Sequence, residues 1–125
     1  MAHDETIYMM DRITPKAGQA KAFLDLYMKR YAPNAKARGL KHEFTWVAPA
    51  MWLDNQPNTL FIVWSVKGAP AWWAMEHSAR RDPDIIEWWQ EVDAMVESRH
   101  RSFLADVSDI ASLTDVSVQQ AHHVR

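Results

Sequence analysis

The chain has 125 residues, with 14 Lys plus Arg against 16 Asp plus Glu and a formal net charge of −2. That length suits one domain with an ordinary core, and the near balance of charge supplies no field to attract nucleic acid or an anionic membrane surface. The absence of cysteine excludes disulfides, thiolate nucleophiles and Cys-based zinc sites.

In chain order, residues 6–13 (TIYMMDRI) set Ile7, Met9, Asp11 and Ile13 against Tyr8, Met10 and Arg12, the two-residue period of a strand with differently used faces. Thr14-Pro15 supplies helix-initiating chemistry, and Ala20, Phe23, Leu24, Tyr27, Met28 and Tyr31 recur at three- and four-residue spacing. The pattern predicts one amphipathic helix closed by Gly39. Residues 40–48 alternate again, so that Leu40, His42, Phe44, Trp46 and Ala48 are expected on one side of a second strand. Turn chemistry over 49–58 leads into TLFIVWSV (59–66), an apolar run expected to be buried on both faces.

Gly68 to Pro70 ends that strand, and a helix is predicted from about Ala71 to Arg81. Asp82-Pro83 caps a second helical segment, with Ile85, Trp89, Val92 and Val96 in one stripe and Trp88 and Met95 beside it. Residues 98–107 predict the last strand, and 108–125 a loosely held tail, leaving one domain over 1–107. The N-terminal residues contain no apolar run long enough for a signal segment and nothing later approaches a membrane span, so a cytoplasmic protein without a membrane partner is expected.

The order β-α-β-β-α-β, with a broken second helix, is that of a ferredoxin-like α+β domain with helices on one face of an antiparallel sheet. Bulky residues on both sides of the strands leave the second face apolar, and a homodimer formed through the sheet would cover it.

Particular words extend this reading. The run IYMMDRITPKAGQAKAFLDLYMKRYAPNAKARGL resembles the opening of NIPSNAP-like proteins of the dimeric α+β-barrel superfamily, which also contains antibiotic-biosynthesis-monooxygenase-like members. Pro15, Gly18, Phe23, Gly39 and Leu40 carry the match, TLFIVWSV fits the third strand, and the element order fits from about residue 6 to 107. The resemblance implies a dimeric α+β barrel with a ligand cavity between sheet and helices in each subunit. Relatives include cofactor-free monooxygenases, lyases, isomerases and haem-degrading proteins. Trp64 and His77 match positions used by haem-degrading relatives, but the first-strand Asn of those relatives is missing from TIYMMDRI.

Seven tryptophans are the most unusual feature of the composition. Trp46, Trp64 and Trp89 lie on periodic apolar faces and suit a core, whereas the pairs Trp72-Trp73 and Trp88-Trp89 place neighbours about 100° apart on a helix. One member of each pair must face a side, an end or a cavity, and a flat apolar pocket for an aromatic substrate competes with a dimer interface. His42 is the leading acid/base candidate, against a role as a core histidine bonded to a carbonyl. His77 shares a helical face with Trp73 and has Arg80 one turn on; its alternative is a solvated surface position. Asp11 interrupts an apolar face, as a cavity carboxylate or a strand-end residue.

Tyr8, Tyr27 and Tyr31 are candidates to orient a substrate oxygen, against amphipathic core roles. Arg12, Arg99 and Arg101 are candidates to hold an anion, against cross-strand charge pairing. Glu76-His77 lacks the second histidine of a helical zinc site, and no phosphate loop or nucleophile elbow is present, so neither metal nor cofactor is expected. These readings lead to a cofactor-independent enzyme acting on an aromatic or polycyclic molecule by proton transfer, a lyase or isomerase. The alternatives are a cofactor-free monooxygenase of a phenolic substrate and a non-catalytic ligand-binding dimer.

Overall fold

A computed structural model describes residues 5–113. Four antiparallel strands, β1 (Thr6–Pro15), β2 (Lys41–Ala48), β3 (Thr59–Lys67) and β4 (Val96–Ala105), form one sheet in the order β2-β3-β1-β4. The helices pack on one side of it: α1 (Ala20–Leu26) and α2 (Ala32–Ala37) after β1, then α3 (Ala69–Arg80) and α4 (Pro83–Val92) after β3. This is the expected ferredoxin-like α+β arrangement, including the break in the second helical region.

The break has a local cause. Asp82 leaves the helical region of backbone space and its carboxylate accepts from the Asp84 amide, while Pro83 occupies the first helical position. Asn34 of α2 also donates to Asp82, at 2.7 Å, so the cap ties α4 to α2. The Asn34 bond first, and the Asp84 amide second, hold the Asp82 carboxyl below its ordinary range.

The first helical region is not the single α-helix that its periodicity predicts. A π-turn over Tyr27–Tyr31 joins α1 to α2, and the Ala32 amide bonds to Tyr27 five residues back. Pro33 explains the need, because its ring would clash with the carbonyl four residues earlier in a continuous α-helix. The wider turn leaves both Tyr27 and Tyr31 buried, with ring centroids 4.9 Å apart.

A second correction concerns β2. The ladder pairs His42 with Trp64 but Phe44 with Val63, so one extra residue, Glu43, is inserted between them. His42, Thr45 and Val47 therefore face the helices with Trp64, Ile62 and Leu60, while Phe44 and Trp46 turn to the open face with Val63 and Phe61. The expected common face from Leu40 to Ala48 is cut in two by this bulge.

Between sheet and helices lies the core, built around Phe23, Tyr27, Tyr31, Leu60, Ile62, Trp64, Trp88 and Val92. β3 is buried on both faces at its centre, as its apolar run predicts. At the sheet's end, Gly18 has φ +74°, and a Cβ there would collide with the Asp54 carbonyl; glycine lets the turn after β1 close on the β2–β3 loop. Part of the predicted tail belongs to the fold: residues 107–113 are helical and Leu113 joins the core cluster. His122 and His123 lie outside the described residues.

Candidate functional site

Strand β1 places Asp11 on the helix side of the sheet, 3% exposed. Opposite it in the ladder, Arg101 of β4 donates from Nε to Oδ1 at 2.6 Å and from Nη2 to Oδ2 at 2.9 Å. Tyr27 donates its hydroxyl to Oδ2 at 2.9 Å and accepts from Trp64 Nε1 at 2.8 Å. The Tyr31 oxygen accepts from Nη2 of Arg101 and from Nη2 of Arg38, both at 3.0 Å, and Arg38 continues to Asn34 through Nη1. A connected polar network thus runs from the sheet to the end of α2.

Burial works against the Arg101 cation, but the Asp11 carboxylate outweighs it and holds the guanidinium above its ordinary pKa. For Tyr27, burial first and the Asp11 charge second push the phenol well above 10.0. A raised phenol pKa leaves stability full below the unfolded value of 10.0 and removes it as pH rises toward the folded value, because the unfolded chain releases the proton first. Urea unfolding between about pH 9 and pH 11 should therefore show a falling stability that Tyr27→Phe makes shallower; equal slopes in the two proteins would remove Tyr27 as the cause.

Above this network, the π-turn, α2 and α4 enclose a cleft of about 370 Å³ lined by Arg30, Tyr31, Asn34, Asp84, Ile85, Glu87 and Trp88. Arg30 lies over the Trp88 ring at 5.4 Å and pairs with Glu91 at the mouth. A crevice of about 20 Å³ beside Asp11 is lined by Ile13, Trp89, Arg99, His100 and Arg101. A larger cavity than this cleft lies elsewhere: on the open face of the sheet, Tyr8, Met10, Phe44, Trp46, Phe61, Val63 and Leu104 border an apolar groove of about 680 Å³.

Asp11, Tyr27, Tyr31, Trp64, Trp88, Trp89 and Arg99 are brought together on the helix side, where Arg99 covers the Trp89 ring at 4.1 Å. Tyr8 and Trp46 stand on the opposite face, with Arg12, which is exposed beside His100 in the ladder. His42 is half-buried on the edge strand, edge-on to Trp64 at 5.2 Å, with Nε2 2.9 Å from the Thr45 hydroxyl. Burial, then the nearby Lys36 charge, lower its pKa. It lines none of the cavities described above, and neither does His77, which is exposed on α3. Trp64 is fully buried against Tyr27, so it and His77 do not share a cavity.

The tryptophan pairs are divided as helix geometry requires. Trp88 is 3% exposed and packs on Phe23, Tyr27 and Tyr31, while Trp89 lies half-buried along the β4 seam. Trp72 meets Phe103 edge-on at 4.2 Å, and Trp73 packs against the core cluster with its indole nitrogen buried. Of these four rings, Trp88 borders the cleft and Trp89 the crevice beside Asp11, while Trp72 and Trp73 line neither. Asn34, Arg38 and Glu87 were not singled out by the sequence: polar residues on helices carry no periodic signal for a cleft.

A ferredoxin-like sheet with one apolar open face and a polar network beneath its helices defines the structural class. No protein-family model and no curated protein matches the sequence. Solved structures do share the fold. A NIPSNAP family protein of unknown function from Agrobacterium tumefaciens strain C58 superposes with a TM-score of 0.64 at 10% identity, over 83% of this chain and 90% of that one. An uncharacterized NIPSNAP domain protein from Burkholderia xenovorans gives 0.64 at 15% identity, over 81% and 94%. A candidate antibiotic biosynthesis monooxygenase from Nitrosomonas europaea gives 0.58 at 10% identity, over 83% and 92%. The chain therefore has the fold of the NIPSNAP and antibiotic-biosynthesis-monooxygenase-like proteins, as the words between residues 7 and 40 imply. At these identities the likeness establishes architecture alone.

Proposed function

We propose that the protein is a cofactor-independent enzyme that moves a proton on a small aromatic molecule, as a lyase or isomerase, in the cleft between the π-turn, α2 and α4. The observation that carries this reading is the Tyr31 side chain, which lines the cleft while its hydroxyl is anchored through Arg101 to buried Asp11. Such an anchored hydroxyl is preorganised to hold a substrate oxygen without reorganising during the reaction.

Glu87, exposed at the cleft wall and beside the Trp88 ring in sequence, is the proton carrier in this scheme. It replaces His42 in that role, because a general base must reach the substrate and His42 faces Trp64 on the far edge strand. Asp11 acts through Arg101 as a positioning residue, being already occupied by three donors.

Glu87→Gln should lower turnover by about two orders of magnitude or more with the fold intact, since the side chain is exposed. The assay is a panel of single- and double-ring aromatics incubated with the protein, each recovered for mass and retention analysis. Unchanged turnover would exclude Glu87. A monooxygenase is the second reading, favoured by the name of the Nitrosomonas europaea neighbour; dioxygen consumption with a mass gain of oxygen would select it. Ligand binding without any product would leave a non-catalytic binding protein.

We also infer a homodimer, with a second copy covering the open face. Trp46 there is 64% exposed and stacks on Phe44 at 4.2 Å, and the surrounding groove is mainly apolar. Sedimentation equilibrium of the same preparation tests it, a monomer at micromolar concentration being the adverse result.

A further inference from the structure

The two walls of the cleft carry unequal charge. From α4 come Asp84 and Glu87, with Glu91 a turn beyond, and spacings of three and four residues set all three on one side of the helix. From the facing π-turn and α2 come Arg30, Tyr31 and Asn34, so Arg30 is the only cation in the lining. It pairs with Glu91, and among the described residues neither Asp84 nor Glu87 has a salt bridge. Arg38 does not redress the balance, because Asp82 shares Asn34 with it and offsets its charge. Three carboxylates share one guanidinium.

The fold itself does not call for this surplus. The positive end of the α4 dipole eases Asp84 in the first turn, but Glu87 lies beyond that turn and repels Glu91 four residues on. The aromatic wall indicates what kind of cation would relieve it. Trp88 lines the cleft while 3% exposed, and its indole nitrogen is buried without a partner. Its ring already carries one organic cation, the Arg30 guanidinium at 5.4 Å. An aromatic face with carboxylates at its edge is the chemistry that recognises a ligand ammonium, and Ile85 adds apolar surface for a hydrocarbon ring.

We infer that the cleft binds a small arylalkylamine in its ammonium form, its ring against Trp88 and Ile85 and its ammonium at Asp84 and Glu87. The inference rests on the proposed function for the place of the site and adds the charge of the molecule; it does not depend on the reaction. A volume of about 370 Å³ sits at the lower end for small-molecule sites and suits one ring with a short chain. Both carboxylates are exposed, so water and salt screen them and the attraction weakens as ionic strength rises.

Calorimetric titration of the full-length protein at neutral pH with phenethylamine, phenethyl alcohol and phenylacetate tests this, since the three share a ring and chain length and differ in charge. The amine should bind at one site per chain about tenfold more tightly than the alcohol, and the acid more weakly than either. Raising salt from about 0.05 M to about 0.5 M should narrow the gap between amine and alcohol. Asp84→Asn combined with Glu87→Gln should abolish it, and leaves in place the Asp84 amide that bonds to the Asp82 cap. Equal affinity for amine and alcohol, no amine binding, a gap indifferent to salt, or a preference that survives the double variant would overturn the inference. Should the double variant fail to fold, the comparison of amine with alcohol on the unaltered protein decides by itself. Amine binding without turnover of any aromatic would sink the proton-transfer reading and leave this one standing. Turnover of neutral aromatics with no preference for the amine would do the reverse.

Discussion

Asp11→Ala is expected to destabilise the protein by about 3–5 kcal/mol, a large fraction of the stability of a domain this size. The loss comes from what remains behind. Arg101 keeps its charge with its side chain only 30% exposed, and Tyr27 keeps a buried hydroxyl without its acceptor. Removing one partner of a buried pair costs the desolvation of the other, which exceeds the net worth of the pair. The control is Asp11→Leu combined with Arg101→Met, which removes both charges and fills the space with apolar atoms. Urea unfolding of Asp11→Leu, Arg101→Met and the double variant gives the coupling energy. Recovery of most of the loss in the double variant is the expected result. A loss under about 1 kcal/mol for Asp11→Ala would mean that Arg101 reaches water, reducing the pair to a surface ion pair.

The pairing of Asp11 with Arg101 also shows where sequence reading stops. Each residue is recognisable as unusual: Asp11 interrupts an apolar strand face, and Arg101 suggests a cross-strand partner. The two are 90 positions apart, and only the β1–β4 register places them opposite each other. Register follows from a match between faces, and β4 is mostly exposed, so its own pattern does not specify one. The bulge at Glu43 was hidden for a related reason. Leu40, His42, Phe44 and Trp46 form an unbroken alternation of large residues, and nothing in it marks the insertion that turns Phe44 and Trp46 outward. Local chemistry was more informative. Asp82-Pro83 identified the cap of α4, Gly68 and Pro70 the end of β3, and Pro33 was available as the signal for the π-turn.

The tryptophans were legible as two alternatives, core or pocket wall, and composition does not choose between them. Packing does. Trp64 projects from β3 onto the helices, paired in the ladder with Met9 on one side and His42 on the other, and it is surrounded by Tyr27 and the rest of the core cluster. A ring bounded on all sides by protein contributes to stability before it contributes to recognition.

Trp64→Ala should accordingly cost about 3–5 kcal/mol, since it deletes a fully buried ring and leaves a cavity that a sheet on one side and three aromatic rings near Tyr27 on the other resist closing. Trp64→Phe separates the two parts of that cost. It retains most of the ring volume and removes the N–H donated to Tyr27, so a smaller loss, about 1–2 kcal/mol, is expected. Chemical unfolding of both variants, with far-ultraviolet dichroism to verify the fold, supplies the measurement. If Trp64→Ala instead kept nearly full stability while losing affinity for aromatic ligands, the ring would be a pocket wall. The helix–sheet space, not the cleft between α2 and α4, would then hold the substrate.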